Sequence, residues 1–391
     1  MKKIVVSIVA FCLSFLTLQA QSYVIDAFRF SQINWQGTAR SMGAGGAFGA
    51  VGAEYSALST NPASMGIYKK SEVSFTPVVV SIFNASSMYE GKTSNYLSSN
   101  YSLTNFGIVM VAPIKESPWK NVQFAFGYNR INDFNNSFRV EGMVNSSITK
   151  LYANSANGTN LENLNGELEM AFNIWAIDTL SGSVRDYESL STANEINQKQ
   201  FVKTRGGIDE MNFTVGGNYD DKLYVGATIG VPFLKYQETV TYEEKNMDEN
   251  PVNMTDFTKR TDLRVRGTGV NLKLGLIYQP VDYFRIGAAF HTPTYYSLRE
   301  TYNIEISSVF SDGWKGMADN TNEYSYRLVT PLRASANMAF LINRKAFISA
   351  DYEFTNYGMA KMYASDYGFD DENADITKKY GASHTIKMGA E

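Results

Sequence analysis

The sequence predicts an all-β protein, a transmembrane antiparallel β-barrel. Three observations carry that prediction. The chain opens on an export signal. No apolar run after residue 20 approaches the ~18–20 residues of a spanning helix. Long segments alternate apolar residues with polar or small ones at a period of two. A chain that crosses a bilayer without helices must satisfy its backbone in a closed sheet.

Lys2 and Lys3 precede the apolar run Ile4–Leu18, and Leu18-Gln19-Ala20 ends on a small residue suited to signal peptidase. Residues 1–20 therefore read as a cleaved secretory signal. Cys12 is the sole cysteine and follows Phe11, which excludes a lipoprotein anchor. It also leaves the mature chain without disulfides or thiolate metal sites. Thr38–Tyr68 is rich in small residues and nearly uncharged, with glycines at Gly43, Gly45, Gly46 and Gly49 and an Asn61-Pro62-Ala63 turn. The G-x-G-x-x-F register and the lack of a following Gly-Lys-Ser/Thr exclude a dinucleotide or phosphate loop. Tight backbone packing is the better reading of these glycines.

Strands are expected near 71–83, 101–114, 121–140, 203–219, 222–243, 260–279, 283–305, 324–342 and 345–360, with a tenth starting at 384–391. Val270, Leu272, Leu274, Leu276 and Tyr278, for example, oppose Asn271, Lys273, Gly275, Ile277 and Gln279. Several of these segments exceed the ~5–6 residues of a soluble strand. Turns at Asp220-Asp221, Gln279–Asp282 and Asn343-Arg344 are short, whereas Tyr242–Arg260, Ser307–Tyr324 and Met362–Ser383 read as long polar loops. Short turns at one rim and long loops at the other are the outer-membrane arrangement. Residues 141–202 form the longest interruption, an extracellular loop with one or two short helices whose apolar face carries Leu161, Leu164, Leu168, Phe172 and Trp175.

Composition is permissive. Aromatic residues make up 14 % of the chain, enough for interfacial girdles. A net charge of -4 argues against a nucleic-acid footprint. The mean hydropathy of -0.24 does not discriminate, because alternating strands average to the same value. His291 and His384 are the only histidines, and no Ser/His/Asp set or metal cluster is apparent. The run Asp370-Asp371-Glu372 reads as a solvated face. Neither an enzyme nor a cofactor is expected.

Gly37–Gly43, Gly45-Gly46-Ala47-Phe48 and Ser59-Thr60-Asn61-Pro62-Ala63 resemble the N-terminal hatch of the FadL family. That family comprises outer-membrane channels for long-chain fatty acids and other hydrophobic compounds. The resemblance implies a fourteen-stranded barrel with residues 21–70 as a hatch in the lumen. Residues 71–391 then hold about nine to ten strands, and the barrel is expected to continue beyond Glu391. It implies passive uptake of an apolar ligand, long-chain fatty acid foremost, gated by the hatch and released through an inward strand kink. The hatch motif would be Asn61, Pro62 and Ala63, with Phe48, Tyr55, Leu58 and Met65 on the substrate path or packing the plug. Expected partners are outer-membrane lipid and lipopolysaccharide around a monomer. The alternative is a FadL-like barrel serving as a structural or secretion-system component.

Overall fold

A computed structural model describes residues 23–34, 36–77, 79–249, 251–342 and 345–391. The expected signal and the turn at Asn343-Arg344 lie outside these residues. Residues 23–31 form a helix, α1. A short helix α2 (Ala39–Gly43) follows, then two 3-10 turns at Tyr55–Ser59 and Pro62–Ile67.

The wall begins with β1 (Glu72–Thr76), β2 (Val79–Tyr89), β3 (Lys92–Ser102), β4 (Asn105–Pro113), β5 (Trp119–Asp133) and β6 (Asn136–Val144). A capping insertion comprises α3 (Ile148–Ala156), α4 (Gly166–Asn173) and a small hairpin of β7 (Ile177–Thr179) and β8 (Tyr187–Ser189). The wall resumes with β9 (Ile196–Tyr219), β10 (Leu223–Asn246), β11 (Met254–Val281), β12 (Phe284–His291), β13 (Tyr295–Phe310), β14 (Lys315–Val329) and β15 (Arg333–Ile342). It ends with β16 (Ala346–Asn356), β17 (Lys361–Tyr363), α5 (Asp370–Lys379) and β18 (Ala382–Ala390).

The main antiparallel sheet runs β1-β4-β5-β9-β10-β11-β12-β15-β16-β18, ten strands in a meander, as the alternation predicts. The extra strands are outer halves of the same courses. β11 pairs β12 near its end and β13 over the rest of its length. β9 likewise pairs both β5 and β6, and β14 pairs β13 where β15 pairs β12. Courses break where a donor is missing: Pro293 separates β12 from β13, and Pro331 separates β14 from β15. The turn Asp220-Asp221 has positive φ at both residues (54° and 52°), and the Lys222 amide bonds the Tyr219 carbonyl at 3.1 Å, a primed turn that follows the sheet twist.

Two expectations need correction. The segments 242–260 and 307–324 are mostly strand: β10 reaches Asn246, β11 starts at Met254, and only residues 311–314 separate β13 from β14. Residues 84–100 are likewise the hairpin of β2 and β3. Above the apolar band the faces exchange character, with Leu298, Ile304 and Ile306 buried inward and the outward face polar, while main-chain pairing continues. In the insertion the helices stand where expected, but Leu161 and Trp175 are exposed, and Met170, Ala171 and Ile174 are buried in their place. Trp175 sits just past α4 at φ 59°, which swings its side chain off the apolar face.

The outward face explains the length. Val270, Leu272, Leu274, Leu276 and Tyr278 are 38–49 % exposed, although the adjacent inward Asn271 and Lys273 are buried. Ile229, Phe213, Phe126, Phe290 and Met338 continue this exposed apolar band around the wall. An apolar outside and a polar inside is the inverse of a soluble protein and matches a membrane barrel. Inside the outer half, α1 and α5 fill the lumen with Phe30, Phe369 and Ile376 against Leu234, Tyr236 and Tyr326.

Candidate functional site

The inner half of the lumen holds residues 36–70. Their local shape follows from few residues. Asn61 has extended backbone, and its Oδ1 accepts from the Ala63 amide at 3.0 Å, with Pro62 opening the 3-10 turn. The side chain thus caps the turn while proline presets its φ.

From that turn a hydrogen-bonded chain crosses to the wall. Asn61 Nδ2 donates to Asn337 Oδ1 at 3.0 Å, Asn337 Nδ2 donates to Asp351 Oδ1 at 2.9 Å, and Asp351 Oδ2 accepts from the Gly49 amide at 3.0 Å. Asn61, Asn337 and Asp351 are all under 5 % exposed. Further bonds reach other strands: Gln123 Nε2 donates to the carbonyls of Gly66 and Tyr68, Arg285 Nη1 to that of Val51, and His291 Nε2 meets that of Thr60 at 3.1 Å. Strands β5, β12, β15 and β16 therefore grip one segment, so the wall curls around it.

The hatch motif Asn61-Pro62-Ala63 lies fully inside this contact. The four glycines divide. Gly45 and Gly46 take positive φ (63° and 71°), which side chains rarely adopt. At Gly49 a Cβ would stand 2.2 Å from Asn337 Nδ2, whereas Gly43 has open space. Phe48, Tyr55, Leu58 and Met65 are all at most 1 % exposed. Phe48 packs edge-on to Phe347, 5.2 Å between centroids, and the other three share a cluster with Tyr68, Val109 and Ala125.

The receiving surface was not anticipated. Glycines on the inward strand faces make room for the segment. A Cβ on Gly226 would lie 2.2 Å from the Pro62 carbonyl oxygen, one on Gly275 2.1 Å from Asn61 Oδ1, and one on Gly107 2.3 Å from the Tyr55 ring. Gly216, Gly226 and Gly275 are direct cross-strand neighbours. The pattern exposes these glycines and Gln123, His291 and Asp351 as a small or polar face, but the partner of that face is set by the fold.

Toward the outer side lies a small cavity of about 30 Å³. Phe30, Ile33, Ile131, Ile208 and Tyr296 give it an apolar side; Lys273, Arg333 and His291 line another. Lys273 is ion-paired to Glu210, both at most 5 % exposed. Arg333 donates to the Ser31 carbonyl at 2.9 Å and stands 3.9 Å from Glu353. None of Phe48, Tyr55, Leu58 and Met65 lines this cavity.

The nearby wall is discontinuous. β4 follows β5 up to the Arg130 amide, which donates to the Thr104 carbonyl. Beyond it β3 pairs with β2 and β6 with β9 among the described residues, with no ladder between β3 and β6. At that break the Asn34 amide bonds the Ile131 carbonyl at 3.0 Å, and the Asn34 and Asn132 side chains meet at 2.8 Å. No group of three or more metal-ligating side chains occurs among the described residues.

A family model described as "Outer membrane protein transport protein (OMPP1/FadL/TodX)" matches residues 14–391. Similar solved structures include a TodX deltaS2S3 mutant monoaromatic hydrocarbon channel, at 13 % identity and TM-score 0.41, covering 85 % of this chain and 71 % of that one. A Pseudomonas aeruginosa FadL homologue is similar at 9 % identity and TM-score 0.30, covering 92 % and 96 %. No curated protein matches significantly.

Proposed function

The chain belongs to the OMPP1/FadL/TodX family of outer-membrane transporters of hydrophobic compounds, and from that premise we propose that it carries long-chain fatty acids past a gate formed by its N-terminal segment. On this reading residues 1–20 are the export signal, 21–70 the hatch and 71–391 wall, with 141–202 on the extracellular side of a monomer. The family consists of channels, and the protein is not an enzyme.

The cavity between residues 30–33 and the wall is the observation that carries the substrate reading. What supports the reading is its lining, an apolar side facing a cation; at about 30 Å³ it admits a tail only when residues 30–33 move. The tail would lie along Phe30, Ile33, Ile131 and Tyr296. Lys273 is already balanced by Glu210, so Arg333, with its carboxylate neighbour at 3.9 Å, is the cation best placed for an acidic head. Gating draws support from the polar character of the attachment: Asn61 and Gly49 bond Asn337 and Asp351, and Gln123, Arg285 and His291 add bonds that a shift of the segment can exchange. The β2–β3 hairpin meets β6 through side chains, Lys92 to Glu141 at 2.7 Å, with no ladder between them, and this seam beside Asn34 offers a lateral exit.

Arg333→Gln in the full chain tests the substrate. Uptake of radiolabelled oleate is expected to fall about tenfold, consistent with a hydrogen bond to a charged group at ~1.5–3 kcal/mol. Uptake of an uncharged hydrocarbon of equal length should hold. Equal loss of both would discard the acidic-head assignment.

A further inference from the structure

The outward surface above the apolar band carries a cationic belt that no part of the transport path uses. Outward positions on β11 read Tyr278, Leu276, Leu274, Leu272, Val270, Thr268, Arg266 and Arg264, turning from apolar to basic within two steps. On β10 Lys235 is the first outward residue past Phe233. The register aligns them. Lys235 pairs with Arg266, and Arg266 pairs with Arg299 of β13. One step toward the membrane Ser297 faces Arg327 of β14, and one step away Gln237 stands between Arg205 and Arg264. All six cations are exposed.

Like charges directly opposite each other across strands are destabilising. Here three strands in succession present Lys235, Arg266 and Arg299 on one face. Counter-charge is scarce: Glu323 pairs Arg299, and Asp262 pairs Arg260 at 2.9 Å with Arg264 beside it. Arg205, Lys235, Arg266 and Arg327 have no ion pair among the described residues. The whole chain carries -4, so the belt is not a by-product of composition.

Height identifies the partner. Arg266 lies four residues beyond Val270, about 14 Å along the strand and about 10 Å along the membrane normal at ~45° tilt. Tight turns mark the opposite rim as periplasmic, so the belt faces the outer leaflet at its headgroup level. We propose that Lys235, Arg266, Arg299 and Arg327, flanked by Arg205 and Arg264, form a binding site for the phosphate groups of a lipid A-type glycolipid. The acyl chains would lie on the apolar band directly below, and the sugar phosphates would replace the missing counter-charge.

The test is titration of the purified full chain, in mild detergent, with bis-phosphorylated lipid A and with its dephosphorylated form, read by native mass spectrometry. Each cation near a lipid phosphate contributes about fivefold, so a Lys235→Gln/Arg266→Gln/Arg327→Gln variant should bind lipid A about a hundredfold more weakly. A Lys69→Gln/Lys120→Gln variant at the other rim should bind as the parent does. Heat-dependent gel mobility reports that each variant keeps its barrel. Equal affinity of the triple variant and the parent would overturn the site, as would indifference to the phosphates. Competition by millimolar inorganic phosphate as strong as by lipid A would also overturn it, since the acyl contact would then contribute nothing.

Discussion

At the scale of single residues, the N-terminal helix carries an ionisable group that makes its docking depend on pH. Asp26 is 2 % exposed; one carboxylate oxygen takes Arg29 at 2.7 Å and the other has no hydrogen-bond partner. Burial pushes its carboxyl up to about 7, with Glu300 and Glu238 adding to the rise and Arg29 opposing it. The docked state therefore holds a proton that the undocked state releases near the ordinary value of 3.8. Docking is strongest below pH 4 and weakens as pH climbs to about 7, by up to roughly 4 kcal/mol. Amide exchange of residues 23–34, corrected for its intrinsic pH dependence, should show protection falling between pH 4 and 8. In Asp26→Asn the fall should shrink to the part set by Glu300, whose carboxyl burial lifts to about 6 beside Tyr23. An unchanged fall in Asp26→Asn would remove Asp26 from control of the helix. Nothing in the sequence marks Asp26, because its burial comes from strands nearly three hundred residues away.

At the scale of elements, the decisive feature is the inward glycine row on β9, β10 and β11. Period two shows that Gly216, Gly226 and Gly275 share a face, yet glycine on a strand face has several causes. Only the docked Asn61-Pro62 turn explains them here, since a Cβ at either Gly226 or Gly275 would overlap it. Gly275→Val should expel the turn at a cost above the ~1–3 kcal/mol of ordinary overpacking. Residues 36–70 should then become protease-sensitive and passive permeability to small dyes rise several-fold, with barrel mobility on gels unchanged. Gly381→Val, in open space, serves as the control. Persistent protease resistance in Gly275→Val would show that the turn does not depend on this surface.

The same scale explains where the sequence reading fell short. Alternation located all ten wall courses but stopped several short of their outer ends: those read from 203, 260 and 324 begin at Ile196, Met254 and Lys315. Beyond those ends, stretches such as 315–323 carry few apolar residues and are held by main-chain pairing with their neighbours, which leaves little hydrophobic period to read. The helices at 148–156 and 166–173 were legible from their spacing, whereas their buried face shifted because Trp175 leaves the helix with positive φ.

At the scale of the molecule, an apolar band about ten residues tall runs along a wall whose strands reach 24–28 residues. The excess stands on the side of the long connections, capped by α3 and α4 and filled by α1 and α5. This orientation makes a direct prediction for intact cells. Ser311→Cys, at the outer turn, should react with a membrane-impermeant maleimide on whole cells. Asp282→Cys, at a tight turn, should react only after the outer membrane is permeabilised. The reverse pattern would invert the barrel and with it the leaflet assigned to the basic belt.

The sequence by itself determined the membrane-barrel class, the strand courses and the small-residue character of segment 38–68. These follow from local period, from the lack of a spanning helix and from the small residues of 38–68, all of them properties of neighbours along the chain. Only the tertiary structure decided what that segment touches, that Phe48, Tyr55, Leu58 and Met65 pack instead of lining the cavity, and that Arg333 faces it. It also decided that Lys235, Arg266 and Arg299 stand side by side. Cross-strand register and sheet curvature bring together residues dozens to hundreds of positions apart, and no local pattern encodes which of them meet.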